Sequence, residues 1–251
     1  AGALAVLFPG QGAQYPGMNR ALACAFRAAF DVLGAADREF GGEKPLSDLI
    51  YPRPAFDERA RQAQAEELRD TRVAQPALGA AALGAYRVLA GFGLKPAAFA
   101  GHSYGELPAL CAAGVISEAQ LFSLSKLRGS LMARGDGDRG GMLAVQTGEA
   151  ELRRALEEEK LDLLIANKNS PSQFVLSGAT AVIARAAERL AARGMKNTRL
   201  QVSAAFHSPL VAGAQKEFAA ALAKLKFHGA AAPVYANKTA AAYPADAAKA
   251  R

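Results

Sequence analysis

Short apolar segments alternate with longer segments of helical periodicity over residues 1 to about 133. The segments Leu4 to Phe8 and Leu94 to Ala100, the latter apolar except for Lys95, have the length and character of buried strands. Between them, Thr71 to Ala90 carries alanine and leucine at helical spacing, which predicts a long helix. Strands that alternate with long helices predict an α/β fold with a mainly parallel sheet.

A second pattern begins after the polar, glycine-rich link Arg134 to Gly140, which we interpret as a hinge. The predicted order there is strand Met142 to Gln146, helix Glu149 to Glu159, strand Leu161 to Ala166, strand Gln173 to Leu176, helix Ala179 to Arg193 and strand Asn197 to Val202. This βαββαβ order is typical of a ferredoxin-like fold. We therefore expect a large α/β lobe of residues 1–133 and 204–251, and an inserted small lobe of residues 134–203.

Composition excludes several classes of protein. The chain has 251 residues, enough to bury an α/β core, and no apolar run reaches the ~18 residues of a membrane span. It also lacks a signal-peptide pattern, and Cys24 and Cys111 lie in alanine-rich, helix-like surroundings typical of reduced core residues. We expect a soluble, cytoplasmic enzyme without membrane association.

The distribution of charge and the spacing of histidine and cysteine bear on two further classes of function, nucleic-acid binding and metal binding. The net charge of +7 comes from basic residues dispersed among acids, which does not indicate a nucleic-acid partner. Because no pair of histidines or cysteines has the spacing of metal ligands, we predict no metal site.

A candidate nucleophile lies in the pentapeptide Gly-His-Ser-Tyr-Gly, from Gly101 to Gly105. It follows an apolar run and precedes the helix-like segment Glu106 to Gly114. A Gly-x-Ser-x-Gly turn between strand and helix holds the serine in a strained, exposed conformation, with glycine where a side chain would collide. The pentapeptide alone is a weak signal, so the assignment of Ser103 depends on other residues.

Two further segments could complete a serine site. Pro9 to Gln14 is a glycine-rich turn that could present a backbone N–H or an amide side chain to an oxyanion. Of the three histidines, His102 adjoins the serine on a sharp turn, and His228 has the surroundings of a solvated helix end. His207 follows the strand-like run Thr198 to Val202, and it is the best candidate for the base that a serine nucleophile needs.

These residues resemble the malonyl-CoA:acyl-carrier-protein transacylases and the acyltransferase domains of polyketide, fatty-acid and polyunsaturated fatty-acid synthases. The matching motifs are Phe-Pro-Gly-Gln-Gly-x-Gln at Phe8 to Gln14, Gly-His-Ser-x-Gly-Glu at Gly101 to Glu106, Arg-Gly-x-x-Met at Arg128 to Met132, Asn-x-Asn-Ser-Pro-x-Gln at Asn167 to Gln173, and His-Ser at His207 and Ser208. They occur in the family's order along nearly the whole chain, so a joint coincidence is implausible.

The resemblance implies the same two-lobe plan, with a large α/β-hydrolase-like lobe whose C-terminal part is incomplete here. It implies ping-pong transfer, in which Ser103, activated by His207, takes a malonyl unit from malonyl-CoA and passes it to the phosphopantetheine thiol of an acyl carrier protein. In the family, two backbone N–H groups hold the oxyanion, and they correspond to Tyr104 and Gln11. The resemblance implies no bound cofactor, and it suggests neighbouring synthase domains such as a ketosynthase.

Arg128 lies in the otherwise apolar stretch Leu121 to Met132, where a buried arginine is costly without an anionic partner. Periodicity alone favours a guanidinium that reaches the surface. In the family, the matching arginine pairs with the free carboxylate of a malonyl or methylmalonyl group, a geometry that suits a planar guanidinium. The resemblance therefore implies a dicarboxylic substrate.

The expectation of malonyl rests on Phe206. Polyketide synthases often read His-Ala-Phe-His for malonyl and Tyr-Ala-Ser-His for methylmalonyl, and this chain reads Ala-Ala-Phe-His from Ala204 to His207. A ring at position 206 would occupy the room that an α-methyl group needs, although Ala204 departs from both patterns. The resemblance also implies that His102, Met132 and Asn169 line the substrate pocket.

Two other functions stay open. An α/β-hydrolase-type thioesterase or esterase would need an acid between Ser103 and His207, whereas the candidates Asp136, Asp138 and Asp162 all fall in the predicted small lobe. That reading also leaves Arg128 unexplained. A relic, non-catalytic docking domain for a carrier protein is disfavoured by the presence of Ser103, Arg128 and His207 together.

Overall fold

The computed structural model describes residues 2–134, 138, 140–200 and 213–244. The chain divides into two compact units, the first from residues 1–131 and 218–251 and the second from residues 132–217. In chain order the elements are β1 (Ala5–Phe8), α1 (Arg20–Ala25), α2 (Arg27–Phe40), α3 (Leu46–Ile50), α4 (Glu58–Arg69), α5 (Thr71–Gly91), β2 (Ala98–Gly101), a 3₁₀ turn (Ser103–Gly105), α6 (Glu106–Ala112), α7 (Glu118–Ala133), β3 (Gly141–Gln146), α8 (Glu149–Glu158), β4 (Leu164–Ser170), β5 (Gln173–Gly178), α9 (Thr180–Ala192), β6 (Lys196–Arg199), α10 (Gly213–Ala223) and β7 (Val234–Tyr235).

Three parallel strands form the sheet described in the first unit, in the order β1-β2-β7. Strand β1 is aligned with β2 so that Phe8 lies opposite Gly101, and β2 is aligned with β7 so that Phe99 lies opposite Val234. Parallel neighbours require a crossover connection, which helices α1 to α5 provide between β1 and β2. The predicted parallel sheet is confirmed, and its strands end at one common edge.

The long helix predicted over Thr71 to Ala90 is observed as α5. It ends at a left-handed turn, in which Gly93 has φ +88° and the N–H of Leu94 donates to the carbonyl of Leu89 at 3.1 Å. Leu94 therefore belongs to the helix cap. The prediction that β2 begins at Leu94 is wrong, since the strand begins at Ala98.

Aromatic side chains fix the ends of β1 and β2 against α5. The ring of Tyr86 lies edge-on to both Phe8 and Phe99, with centroid distances of 6.1 and 5.6 Å. Phe8, Phe99 and Tyr104 are almost completely buried in the same core. This packing gives the loops after β1 and β2 a rigid base.

The second unit contains an antiparallel sheet in the order β4-β5-β3-β6, together with helices α8 and α9. Its core is formed by apolar residues of the sheet and both helices, including Leu143, Val145, Leu152, Phe174, Leu176, Ile183 and Leu190. The prediction that a strand begins at Leu161 is wrong, because the N–H of Leu161 bonds to the carbonyl of Leu156 at 2.9 Å and its side chain is buried. Leu161 closes the turn after α8, and β4 begins at Leu164.

The two cysteines have different surroundings. Cys111 is buried on α6, and burial raises the pKa of its thiol to about 12. Cys24 is exposed, so the prediction that it is a core residue is wrong; it lies on α1, a short helix without buried residues.

Within the described ranges, no helix is long and apolar enough to cross a bilayer. The same residues contain no group of three histidine, cysteine or acidic side chains placed to hold a metal ion.

Candidate active site

Ser103 lies in the sharp turn between β2 and α6, as the pentapeptide predicts. Its backbone φ is +52°, in the left-handed region that non-glycine residues rarely adopt. Such a conformation costs on the order of 1–3 kcal/mol and persists only where the surrounding structure imposes it. The turn leaves Ser103 partly exposed at the carboxyl edge of the parallel sheet.

The flanking glycines allow this turn to lie directly on the backbone of β1. A Cβ atom at Gly101 would stand 2.0 Å from the carbonyl carbon of Gly105, and one at Gly105 would stand 2.3 Å from the carbonyl oxygen of Phe8. A Cβ atom at Gly10 would stand 2.4 Å from the carbonyl oxygen of His102. Only glycine fits at the three positions, so the glycine-rich turn after β1 and the serine turn pack backbone to backbone.

An asparagine that sequence reasoning did not select also contacts this turn. The side-chain Oδ1 of Asn237 accepts a hydrogen bond from the N–H of Ser103 at 2.8 Å, and its Nδ2 donates to the carbonyl of Gly101. Asn237 follows β7 closely, and the carboxyl ends of parallel strands meet at one edge. That topological signal could have identified it, but no local motif does.

The side chain of Gln11 is held by the first turns of α5. Its Nε2 donates to the hydroxyl of Thr71 at 3.2 Å, and its Oε1 accepts from the amide of Gln75 at 3.3 Å. Thr71 and Gln75 are both buried. Because the amide of Gln11 is engaged in this way, its backbone N–H is the better candidate for an oxyanion donor.

Tyr104 points away from solvent into the core of the first unit. Its hydroxyl forms a 2.7 Å hydrogen bond with the hydroxyl of Ser125 on α7, which in turn donates to the carbonyl of Leu121 at 2.6 Å. Burial raises the pKa of Tyr104 far above its usual value, so its side chain is a neutral packing element. Only the backbone N–H of Tyr104 is a candidate for contact with a substrate.

The tight fit around Tyr104 yields a stability prediction. A Cβ atom at Gly79 would stand 2.4 Å from the hydroxyl oxygen of Tyr104, whereas the next atoms lie at 3.6 Å or more. Gly79→Ala should therefore destabilise the protein by about 1–3 kcal/mol through overpacking. Tyr104→Phe removes the colliding oxygen, so Gly79→Ala should be neutral or stabilising in that background. Urea unfolding of both single variants and the double variant measures the coupling, and additive losses would contradict the predicted collision.

Arg128 lies on α7, three residues after Ser125, and is half-buried. Burial lowers the pKa of its guanidinium, and the nearby Tyr104 and Glu106 act in the opposite direction. No acidic side chain in the described part of the chain forms an ion pair with it. The neighbouring Gly129 packs α7 onto the start of α5, since a Cβ atom there would stand 2.5 Å from the carbonyl oxygen of Thr71.

The remaining predicted site residues are placed differently. His102 is exposed beside the serine, and its backbone N–H donates to the carbonyl of Phe8 at 2.9 Å. Met132 and Asn169 belong to the second unit, where Asn169 lies exposed on β4. His207 and Phe206 fall outside the described residues. Gln11, Ser103, Tyr104 and Arg128 thus all belong to the first unit, where Arg128 lies near Tyr104 and Glu106.

One of the acids considered for a hydrolase triad has a local structural role. Both carboxylate oxygens of Asp138 accept hydrogen bonds from Thr180, at the start of α9, and one also accepts from the N–H of Gly140. These bonds lower the pKa of Asp138. Within the second unit, its carboxylate is therefore engaged in holding the start of α9.

The chain belongs to the acyl transferase domain family, whose model matches residues 6–249. It is 37% identical over 240 residues to the spectinabilin polyketide synthase system protein NorB of Streptomyces orinoci, a match of 95% of this chain and 11% of that protein. It is 34% identical over 249 residues to the malonyl CoA-acyl carrier protein transacylase of Bacillus subtilis, a match of 96% of this chain and 58% of that protein. The chain thus spans less than two thirds of either relative.

A solved structure of similar fold is the malonyl-transacylase described in complex with a type II polyketide synthase acyl-carrier protein. The TM-score is 0.87 at 32% identity, with 98% of this chain and 78% of that chain covered. The mixed α/β architecture of the described residues is therefore that of known acyltransferases.

Proposed function

We propose that this chain is an acyltransferase that moves a malonyl unit from CoA to Ser103, and then to the phosphopantetheine thiol of an acyl carrier protein. The observation that carries the proposal is the glycine-lined turn that holds Ser103 at φ +52° at the carboxyl edge of the parallel sheet. The names of the transacylases that the chain resembles supply the malonyl group and the carrier protein.

The proposed reaction has two half-reactions. The Oγ atom of Ser103 attacks the thioester carbonyl while His207 takes its proton, and the tetrahedral intermediate then expels CoA, which leaves with that proton as a thiol. The pantetheine thiol next gives its proton to His207, and its sulfur attacks the ester carbonyl. Ser103 leaves as the free hydroxyl after His207 returns the proton.

The oxyanion of both intermediates would be held by the backbone N–H groups of Tyr104 and Gln11. The support for Tyr104 is that its side chain is locked in the core by Ser125, which fixes the peptide that follows the nucleophile. The support for Gln11 is that Thr71 and Gln75 fix its side chain. Preorganised donors of this kind are worth about 3 kcal/mol each in the transition state.

Arg128 would bind the free carboxylate of the malonyl group. A half-buried guanidinium that has no ion pair among the described residues is a costly arrangement unless an anion completes it. The planar guanidinium can donate two parallel hydrogen bonds to a carboxylate. We assign no cofactor or metal to this chemistry, which needs only the malonyl-CoA thioester and the free pantetheine thiol of the carrier protein.

His102, Met132, Asn169 and Phe206 are proposed to line the acyl pocket, with Phe206 excluding an α-methyl group. Phe206→Ser should therefore raise the rate with methylmalonyl-CoA relative to malonyl-CoA, by about 10-fold for the room of one methyl group. Competition between the two CoA esters measures the ratio, and an unchanged ratio would remove Phe206 from the specificity argument.

We propose that residues 1–133 and 204–251 form an α/β-hydrolase-like lobe and residues 134–203 a ferredoxin-like lobe. The parallel order β1-β2-β7 supports the first assignment, and the antiparallel order β4-β5-β3-β6 supports the second. Neighbouring synthase domains, such as a ketosynthase, are proposed because the matched polyketide synthase protein is far longer than this chain.

The carrier protein of this family presents an acidic helix, and the basic residues proposed to meet it are Arg193, Lys196, Lys216, Lys224 and Lys226. Arg193 already pairs with Glu158 and Glu159 at 2.6 and 2.8 Å. The four lysines are exposed and form no ion pair with any described acid. Lys196 and Lys216 belong to the second unit and Lys224 and Lys226 to the first, and each pair is a better candidate than Arg193 for electrostatic contact with the carrier protein.

The salt dependence of the two half-reactions distinguishes docking of the carrier protein from acylation of Ser103. Raising salt from about 50 to 300 mM should weaken transfer to the carrier protein, because the Debye length then falls below about 10 Å. Self-acylation from malonyl-CoA should change little. Stopped-flow measurement of each half-reaction tests this, and equal salt sensitivity of both would refute an electrostatic docking surface.

The overall proposal is tested by following the two half-reactions separately. With malonyl-CoA alone, we expect a burst of about one CoA per protein and then a slow rate. Added carrier protein with its phosphopantetheine arm should restore turnover and become malonylated. Continuous CoA release without a carrier protein would identify a thioesterase, and the absence of a burst would indicate a non-catalytic domain.

A further inference from the structure

Asn237 joins the two residues on either side of His102. Its Oδ1 accepts from the N–H of Ser103 at 2.8 Å, and its Nδ2 donates to the carbonyl of Gly101, the last residue of β2. One amide group thus spans the turn in which the strand ends and the serine is presented. No other described side chain bonds to both backbone groups.

The hydrogen bond from the Ser103 N–H to Asn237 stabilises the strained backbone conformation of Ser103. At a φ of +52°, the serine has left the strand ladder, so its N–H needs an acceptor other than a neighbouring strand. Asn237 supplies that acceptor. Because the Ser103 N–H is bonded to Asn237, it does not point to a substrate oxyanion. The next backbone N–H along the chain, that of Tyr104, is the candidate oxyanion donor.

Asn237 is itself fixed by the first residue of α6. Its backbone N–H donates to Oε1 of Glu106 at 2.9 Å, and the hydroxyl of Tyr243 donates to the same oxygen at 3.0 Å. Burial and the nearby carboxylate raise the pKa of Tyr243, so it stays a donor. Asn237 and Tyr243 thus reach from the segment after β7 to the helix that begins directly after the serine turn.

Backbone pairing closes that segment on itself. The N–H of Tyr243 donates to the carbonyl of Val234 at 2.8 Å, and the N–H of Ala236 donates to the carbonyl of Ala241 at 2.9 Å. Tyr235 and Ala242 form an antiparallel bridge. Asn237 therefore stands on a turn that is closed by backbone hydrogen bonds, the kind of support that a positioning residue requires.

We propose that Asn237 is a positioning residue that holds Ser103 in its left-handed conformation, with Glu106 fixing Asn237 in turn. The proposal rests on the proposed function, since it assigns the effect of Asn237 to the reactivity of the Ser103 hydroxyl. Asn237 takes no part in bond making. Its removal lets the serine turn relax toward an ordinary φ and moves Oγ away from the position of attack.

The first test compares Asn237→Ala with Asn197→Ala. Asn197 is a matched control in its hydrogen bonding, because its side-chain amide also makes two bonds to the backbone, to the carbonyls of Ala187 and Met195, in the second unit. In single-turnover acylation by malonyl-CoA, we expect the rate constant of Asn237→Ala to fall about 10²-fold, as for a misplaced reacting group. The half-saturating malonyl-CoA concentration should stay within about 2-fold, and Asn197→Ala should acylate at the wild-type rate.

The second test uses Asn237→Asp, whose protonated carboxyl keeps both an acceptor for Ser103 and a donor for Gly101. Its carboxylate form would set a negative oxygen against the carbonyl of Gly101 and near Glu106, which raises the pKa of the introduced group. The acylation rate of this variant, divided by the wild-type rate at the same pH, should therefore rise as the pH falls from about 8 to 5.5. A merely structural role gives no such rise in the ratio.

The outcomes separate this inference from the proposed function. If the wild-type protein forms no malonyl adduct, the proposed function fails. If it forms the adduct and Asn237→Ala acylates at the wild-type rate, only the positioning role is overturned. If Asn237→Ala does not fold, the pH dependence of the Asn237→Asp ratio decides, and a flat ratio overturns the positioning role.

Discussion

Replacing Ser103 by alanine should lower the rate of malonyl transfer by on the order of 10⁴-fold or more, because the covalent route then has no nucleophile. The turn itself should persist, since its glycines and the Asn237 contacts to the backbone do not depend on the serine hydroxyl. Steady-state CoA release, with the carrier protein as acceptor, measures the loss.

Ser123→Ala is the matched control for this variant. Ser123 is an exposed residue on α7, the helix that also carries Arg128. Its substitution should leave the rate unchanged within about 2-fold, as for surface positions away from the reacting groups. A Ser103→Ala protein that still transfers malonyl at more than a few per cent of the wild-type rate would show that another residue carries the acyl group.

Replacing Arg128 by alanine should lower malonyl transfer far more than acetyl transfer. Only the malonyl group has a free carboxylate, and a charge-assisted bidentate pair is worth about 3 kcal/mol, equivalent to about a 150-fold loss in kcat/KM. Acetyl transfer should fall by less than about 5-fold. The ratio of kcat/KM for malonyl-CoA and acetyl-CoA therefore measures the role of the guanidinium.

Two further arginine variants sharpen this test. Arg128→Lys keeps the charge but loses the planar fork, so it should recover only part of the malonyl rate. Arg59→Ala, at an exposed position on α4, should change neither rate. Equal losses for both CoA esters in Arg128→Ala would show that Arg128 stabilises the packing of α7 and does not select the substrate.

The sequence pattern predicts most of the elements, and its errors occur at their ends. Apolar periodicity predicts the ends of α5 to within one residue. It also predicts that one sheet is parallel and that the other belongs to a second pattern of strands and helices. It misplaces the starts of β2 and β4, because Leu94 and Leu161 belong to the turns that close the preceding helices. Leu161 packs into the core of the second unit as a strand residue would, so hydropathy does not distinguish such a turn residue from the start of a strand.

In the candidate site, too, some features are predictable from the sequence and others are not. The serine turn is predictable because its chemistry is local, and a glycine pattern at fixed spacing encodes the close approach of two backbones. The contacts of Asn237 with Ser103 and Gly101 join positions more than 130 residues apart in the chain. They depend on the pairing of β2 with β7, which no local pattern reveals.

The most direct test of a serine-linked malonyl transfer is the mass of the intact protein after brief incubation with malonyl-CoA. Transfer through Ser103 predicts a gain of one malonyl group per chain, located on the peptide that contains Ser103 and lost when a carrier protein with a free pantetheine thiol is added. A malonyl group on any other residue, or one that the carrier protein does not remove, would contradict it.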